Sequence, residues 1–346
     1  MNVVRHSRPW ITADDRQAIL AVLDSEMIAQ GEETRRFEVE FAGRVNAHDG
    51  VALSSGSSAL VLALRAIEAE QTSEIVIPTY VCRSVLEAVI AVGAKPVLAD
   101  CGAQWVVTPA SVAPLVSRRT AAIVVPHICG VFADIPGFRE FGVPIIEDCA
   151  QAIGGVNDHA DSGTLSVFSF HATKCLTTGE GGLVCSKDPQ LLARARAIRD
   201  GDASGSRARL FAPLADILAA LGRSQLSRYD TALVRRKAIA QQYVSSLTPA
   251  LANAIDLLAF ERSMHFRFLL KLTEGFSDYE TEFARQGVTV RRGVDMLNHR
   301  SLGLPDEDFP MAVELYKRTL SLPIYPAMGD AEVRQCLQAA KSVLLR

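Results

Sequence analysis

Two neighbouring stretches, VPIIEDCAQ (143–151) and LSVFSFHATKCLTTGEGGLVCS (165–186), decide the fold. Each opens on a short, nearly continuous apolar run, VPIIED (143–148) and LSVFSF (165–170), and the second closes on another, GLVCS (182–186). Runs of this length without polar alternation read as strands buried on both faces. Polar residues stand at and just past their ends: Asp148 and Gln151 at the first run, Ser169, His171 and Lys174 at the second. Glycines 179, 181 and 182 allow a tight turn that brings the chain back to the sheet.

Working outward, VAL (51–53), EIVIP (74–78), KPVLAD (95–100) and TAAIVVP (120–126) repeat the pattern, with amphipathic helices at SSALVLALRAIEAE (57–70) and VCRSVLEAVIAVG (81–93). This alternation predicts an α/β fold, a mostly parallel sheet sandwiched by helices. Ligands of such sheets bind beyond the carboxyl ends of the strands. After about residue 200 the character changes. GDASGSRARLFAP (201–213) is rich in Gly, Ser and Arg, and 213–247 reads as one long helix or two in tandem. Beyond lie a strand candidate, FRFLLKL (266–272), a helix near 278–286 and a final helix after Gly329. The expectation is a large domain over 1–225, with 1–20 as an N-terminal arm, and a smaller C-terminal α+β domain over 226–346.

Length agrees, since 346 residues correspond to about two domains at roughly 150 residues each. Lys and Arg (36) nearly balance Asp and Glu (39). That balance argues against broad capture of nucleic acid or of an anionic membrane, both of which need a concentrated basic face. A small-molecule partner is the expectation. The seven cysteines are odd in number and form no CxxC pair, so neither disulfides nor a metal site are expected, in keeping with a reducing cytoplasm. MNVVRHSRPW carries charge and proline where a secretory leader would be apolar, and no run reaches about 18 apolar residues; the chain reads as soluble and intracellular.

Four local features fall where the sheet places a site. SSGSSAL (54–60) is a Gly/Ser turn between strand and helix, suited to phosphate through free N–H groups and the Ser57 and Ser58 hydroxyls, or else an ordinary helix cap. Asp148 ends a buried strand, where it can pair with a protonated ring nitrogen or cap the next turn. Lys174 leaves a buried strand, a costly place for an ammonium and a natural one for an imine-forming lysine, although its head can instead reach solvent. TTGEGGLV (177–184) is a turn and lacks the dinucleotide fingerprint GxGxxG, which disfavours an NAD enzyme. Phosphate cradle, ring-nitrogen partner and imine lysine together are the signature of pyridoxal phosphate.

On these residues the chain resembles the DegT/StrS-type family of pyridoxal-phosphate-dependent (sugar) aminotransferases, with the aspartate-aminotransferase-like fold type I. The likeness runs from EMIAQGEETRRFEVEFA (26–42) through SSGSSALVLALRA, EIVIPTYV, HICGVFADIPGF, IEDCAQAIGG and SFHATKCLTTGEGGLV to LSLPIYPAMGDAEV (320–333). The resemblance implies that Lys174 carries the cofactor as a Schiff base and moves the proton, and that Asp148 keeps the pyridine nitrogen protonated. It places Gln151 by the ring's hydroxyl edge and Gly56, Ser57, Ser58 and Ser169 at the phosphate. It further implies an amino acid donor, glutamate, a keto group on a nucleotide-linked deoxysugar as acceptor, and a homodimer.

Two departures stand out. Cys82, in IPTYVCRSV, takes the place of the family's ring-stacking aromatic, so Tyr80 or the thiol itself must cover that face. Phe211 to Leu214 replace the stretch that carries the family's second-subunit asparagine; Arg207 or Arg209 are the substitutes at hand. Candidate substrate residues are His171, His265, Arg267, Arg291, Arg292 and Arg83, arginine being suited to paired oxygens. His127 reads as a hydrogen-bonded structural histidine, and His159 and His299 as loop residues. The departures keep open a non-nucleotide ketone such as a cyclitol; a non-catalytic sensor of the same fold would require losses that are not seen.

Overall fold

A computed structural model describes residues 3–153, 163–201, 209–251 and 254–345. Helices α1 (Ala13–Asp24) and α2 (Glu32–Arg44) lead into β1 (Asp49–Leu53), α3 (Gly56–Ala66), β2 (Glu74–Pro78), α4 (Arg83–Ala91) and β3 (Lys95–Ala99). Then come α5 (Pro109–Val112), β4 (Thr120–Pro126), α6 (Ile135–Phe138), β5 (Ile145–Asp148), β6 (Leu165–Ser169), β7 (Gly182–Ser186) and α7 (Pro189–Asp200). The remainder holds α8 (Asp216–Ser227), α9 (Tyr229–Leu251), α10 (Leu257–Glu261), β8 (Phe268–Lys271), α11 (Phe276–Arg285), α12 (Asn298–Ser301), α13 (Pro310–Arg318), β9 (Thr319–Leu322) and α14 (Asp330–Leu344).

Seven strands form one sheet in the order β1-β7-β6-β5-β4-β2-β3. The pairs β2–β3, β2–β4, β4–β5 and β5–β6 are parallel, as the unbroken apolar runs predict, while β7 runs antiparallel to β6 and β1. The exception has a local cause. A parallel return needs a helical crossover, whereas the described 170–181 connection is a turn closed by Gly179 at φ 85° and by the Phe170 N–H to Gly181 carbonyl bond of 2.8 Å. Helix α3 buries Ala59, Leu60, Leu62, Ala63, Leu64 and Ala66, so its leucines each contribute roughly 1.5–3 kcal/mol.

The stretch 213–247 resolves into α8 and α9, broken at Arg228. The division expected after residue 225 falls in the last turn of α8. That helix also explains the unusual start of α2, whose N-cap is Gly31 and has no capping side chain. Asp216 supplies the cap from 185 residues away, accepting the Gly31, Glu33 and Thr34 amides at 2.8, 3.1 and 2.9 Å. A second core gathers β8, β9, α9, α11 and α14 around Leu270, Phe283, Leu320 and Tyr243. Strand β9 was not legible in the sequence, because it begins at Thr319 directly after α13 with no breaker between them. The N-terminal segment crosses this core: Val4 pairs with Val288, and the Trp10 carbonyl accepts hydrogen bonds from Gln225 on α8 and from Arg228 just after it. Among the described residues no helix is long and apolar enough to cross a membrane.

Candidate active site

Parallel β4, β5 and β6 bring Pro126, Asp148 and Ser169 to one edge of the sheet. Beside them is the start of α3. Ser55 caps that helix by accepting the Ser58 amide at 3.0 Å, leaving the Gly56 and Ser57 amides at the exposed helix start. Gly56 is packed so closely on Ser169 that a Cβ there would lie 2.7 Å from the Ser169 Cβ and 3.0 Å from its Oγ. Gly182 allows the same approach from below, since its own Cβ would meet the Ser55 carbonyl oxygen at 2.2 Å. Ser169 thus stands against the start of α3, where helix-start amides can hold an anion, while the Ser58 hydroxyl is bonded to that of Ser55 at 2.9 Å.

Asp148 is 4% exposed, and its Oδ1 accepts the Ala150 amide at 3.0 Å. Burial pushes its carboxyl up from the usual range, with the Ala150 N–H and the Lys174 charge pulling the other way. No cation lies within ion-pair distance of it among the described residues, nor any carboxylate within that distance of Lys174, whose Nζ stands 5.7 Å from the Phe266 ring centre. The two groups of opposite sign thus lie within electrostatic reach of each other without forming an ion pair. Gln151 accepts the Cys129 amide at Oε1, 2.6 Å away, which fixes the orientation of its carboxamide and so of its donor NH₂. Cys82 is exposed at the N-cap of α4, within electrostatic reach of Asp148 and Lys174. A flat, phosphorylated pyridine aldehyde fits this set: a cradle for phosphate, an anion for the ring nitrogen, an amine for the aldehyde.

Tyr80 does not cover the ring face. It is fully buried, its hydroxyl pressed on Gly293, where a Cβ would sit 2.1 Å away. Only the thiol of Cys82 remains of the two candidates. His127 is structural: the Ala133 amide donates to its Nδ1 (3.1 Å), so Nε2 carries the proton given to Glu147 (2.8 Å), both side chains being buried. His299 is not a loop residue. It is fully buried in α12, stacked on Phe309 at 4.4 Å and tied to Thr79 and Asp306, because it plugs the junction between the 79–82 turn and the C-terminal part. His159 and Arg207 lie outside the described residues, as does most of 201–213. Arg209 is exposed, its guanidinium 4.6 Å from the Phe211 ring centre.

Lys174, Arg267, Arg291 and His171 share a cavity of about 250 Å³. His265 and Arg292 do not reach it. His265 has a left-handed backbone (φ 59°) that turns its ring onto Phe260 in a separate small pocket. Arg292 points away, bonded to the Tyr316 carbonyl and Ser277 and lying over Phe276 and Tyr316. Arg83 is ion-paired with Glu87 on the surface of α4. The cavity also holds residues that the sequence did not single out: His6 and Arg8 from the N-terminal segment, Arg236 from α9, and Phe266, Asp295 and Tyr325. Only the odd placement of Arg236 on the buried face of a helix could have signalled it.

Comparison with known proteins agrees with this geometry. Residues 9–341 match the DegT/DnrJ/EryC1/StrS aminotransferase family. The chain is 27% identical to the spore coat polysaccharide biosynthesis protein SpsC of Bacillus subtilis (strain 168), covering 98% of this chain and 96% of that protein. It superposes on S. venezuelae DesV, solved in complex with a ketimine intermediate, with a TM-score of 0.87 at 28% identity, over 96% of this chain and 95% of that one. DesI, solved in the presence of its TDP-sugar product, gives 0.91 at 25% identity, over 100% and 93%. The chain belongs to the DegT/DnrJ/EryC1/StrS aminotransferase family and is a pyridoxal-phosphate-dependent aminotransferase.

Proposed function

We propose that this enzyme moves an amino group from an amino acid donor, glutamate, to a keto group on a nucleotide-linked deoxysugar, with Lys174 as the imine-forming and proton-carrying residue. The observation that carries the reading is Lys174 and buried Asp148 within electrostatic reach of each other, neither in an ion pair among the described residues, with Gly56 packed on Ser169 at the start of α3. Pyridoxal phosphate supplies the electron sink. The chain's own residues do the rest. Asp148 keeps a proton on the ring nitrogen, because a buried carboxylate gains most from a cation held against it. Gln151 would donate to the ring's oxygen, while Gly56, Ser57, Ser58 and Ser169 would hold the phosphate. Lys174 Nζ would hold the aldehyde carbon and, as a free amine, would take and return the substrate proton as general acid and base. Arg267 and Arg291 face the substrates across the cavity, with His171 at its margin.

The sugar acceptor is supported by SpsC's role in polysaccharide biosynthesis and by DesI's TDP-sugar product. Residues 1–225 are read as the cofactor domain, with 1–20 as its arm, and 226–346 as the smaller domain. A homodimer is supported by exposed Leu20, Leu23, Met27, Ile28 and Phe211, and a reducing cytoplasm by the free cysteines.

The purified protein loaded with pyridoxal phosphate is expected to show the imine absorption band, and Lys174→Ala to lose it while remaining folded. A folded wild type that takes up no cofactor would sink the reading. Cys82 in place of a stacking aromatic favours a second acceptor class, a non-nucleotide ketone such as a cyclitol. Assayed as half-reactions, bleaching by glutamate with no turnover of any nucleotide ketosugar would select it.

A further inference from the structure

Arg236 breaks a rule that the rest of the chain keeps. Two arginines are buried among the described residues, Arg199 at 2% and Arg236 at 3%. Arg199 is paired with Glu38 and Asp200, as the cost of burying a charge demands. Arg236 has no carboxylate within 4.0 Å among the described residues. Its Nη1 donates to the carbonyls of His265 (3.3 Å), Phe266 (3.2 Å) and Ile324 (2.9 Å), and its Nε is buried with no partner. Arg267 repeats the arrangement: Nη1 donates to the carbonyls of Arg292 (2.7 Å) and Gly293 (3.1 Å), and Nε is again buried and bare.

Both guanidiniums surround the ring that Lys174 also faces. Arg236 and Arg267 place Cζ 6.0 and 5.8 Å from the Phe266 ring centre, against 5.7 Å for Lys174 Nζ. Arg291 adds positive charge to the same cavity, as does Arg8, which is itself paired with Glu332 at 3.3 Å. Its one carboxylate, Asp295, is largely solvated and 3.9 Å from Arg291. A pocket with this excess of cations is completed by a ligand oxyanion.

We infer that Arg236 and Arg267 form an oxyanion subsite for the carboxylate of the amino donor. The inference rests on the proposed reaction, which brings the donor's amine to Lys174. A carboxylate on the neighbouring carbon then falls near the Phe266 ring. A diphosphate, separated from the reacting ketone by a sugar ring, would lie farther out, toward Arg8 and Arg291. The carbonyls bonded to each Nη1 hold the guanidiniums still, so the anion meets a prearranged site.

Calorimetric titration of cofactor-free protein with glutarate, and separately with thymidine diphosphate, reads the subsite without turnover. Arg267→Met is expected to weaken glutarate binding roughly tenfold or more, the loss of a charge-assisted hydrogen bond, and to leave thymidine diphosphate within twofold. In the loaded enzyme, the same variant should erase the preference for glutamate over 4-aminobutyrate, which lacks the α-carboxylate, as followed by bleaching of the imine band. Arg236→Lys, which keeps the charge and shortens the reach, should give a smaller loss of the same kind and guards against misfolding. Weakened diphosphate binding with intact glutarate binding would overturn the carboxylate assignment, and no change in either would overturn the subsite. A protein that binds glutarate through Arg267 but never takes up pyridoxal phosphate would refute the aminotransfer reading and leave the subsite standing.

Discussion

Gly56→Ala offers a sharp test of the cradle. A methyl group at this position would stand 2.7 Å from the Ser169 Cβ, 3.0 Å from its Oγ and 3.3 Å from its Cα. The first distance is well inside van der Waals contact, so β6 and α3 must part by several tenths of an ångström. Overpacking of this kind costs about 1–3 kcal/mol, offset by less than about 1 kcal/mol of helix propensity at the first helical position. The larger effect falls on the cofactor. Ser169 Oγ and the helix-start amides must point at one phosphate, and losing one charge-assisted hydrogen bond there costs about 1.5–3 kcal/mol, roughly ten- to a hundredfold in affinity. Fluorescence titration of cofactor-free protein with pyridoxal phosphate gives the affinity, and a thermal melt gives the stability. Ser57→Ala is the control, since it removes a donor without filling space and should weaken binding while leaving the cofactor-free melt unchanged. Gly182→Ala is the severe case: its methyl meets backbone atoms, the Ser55 O at 2.2 Å and the Gly56 N at 2.7 Å, which no rotamer change can relieve. Its melt should fall further than that of Gly56→Ala. Wild-type cofactor affinity in Gly56→Ala would refute the reasoning and move the phosphate elsewhere.

Three further outcomes are expected. His265 is pushed down to about 4 by burial and by Lys237 and Arg236. Its neutral form is therefore the folded one, and stability present above about pH 6.5 should fall by about 3 kcal/mol as pH drops toward 4; chemical denaturation across that range should show a flatter profile in His265→Asn. Glu38, 1% exposed, accepts from Arg196 (2.8 Å), Arg199 and the Ala52 amide (2.8 Å), so Glu38→Gln should cost about 3–5 kcal/mol in urea unfolding, as removing one partner of a buried ion pair does. Cys82→Phe should tighten pyridoxal phosphate binding a few-fold, given about 0.5–1.5 kcal/mol for an added ring contact; unchanged affinity would show that position 82 does not face the ring.

Sequence alone determined the sheet and which polar residues stand at its edge. Buried strands need unbroken apolar runs, and a parallel sheet aligns their carboxyl ends, so Asp148, Ser169 and Lys174 could be read as neighbours although 26 positions separate the first from the last. The cradle was legible for the same reason, its Gly and Ser residues lying within one strand–helix turn. What the tertiary structure decided is which way individual side chains face where the backbone is irregular, and which remote segments join the site. His265 and Arg267, two apart in a nominally extended chain, should share a face; the positive φ at His265 separates them. Arg291 and Arg292 are adjacent, so one of them must turn away, and only the packing over Phe276 and Tyr316 determines that it is Arg292. Tyr80 stood next to the open position at Cys82, yet the bare backbone of Gly293 receives its ring. Arg8, Arg236 and Tyr325 come from three distant segments whose convergence leaves no local pattern. Local rules of hydrophobic period and strand ends fix the residues at the sheet's carboxyl edge, whereas the cavity around Lys174 is built by long-range contacts that no short window of sequence contains.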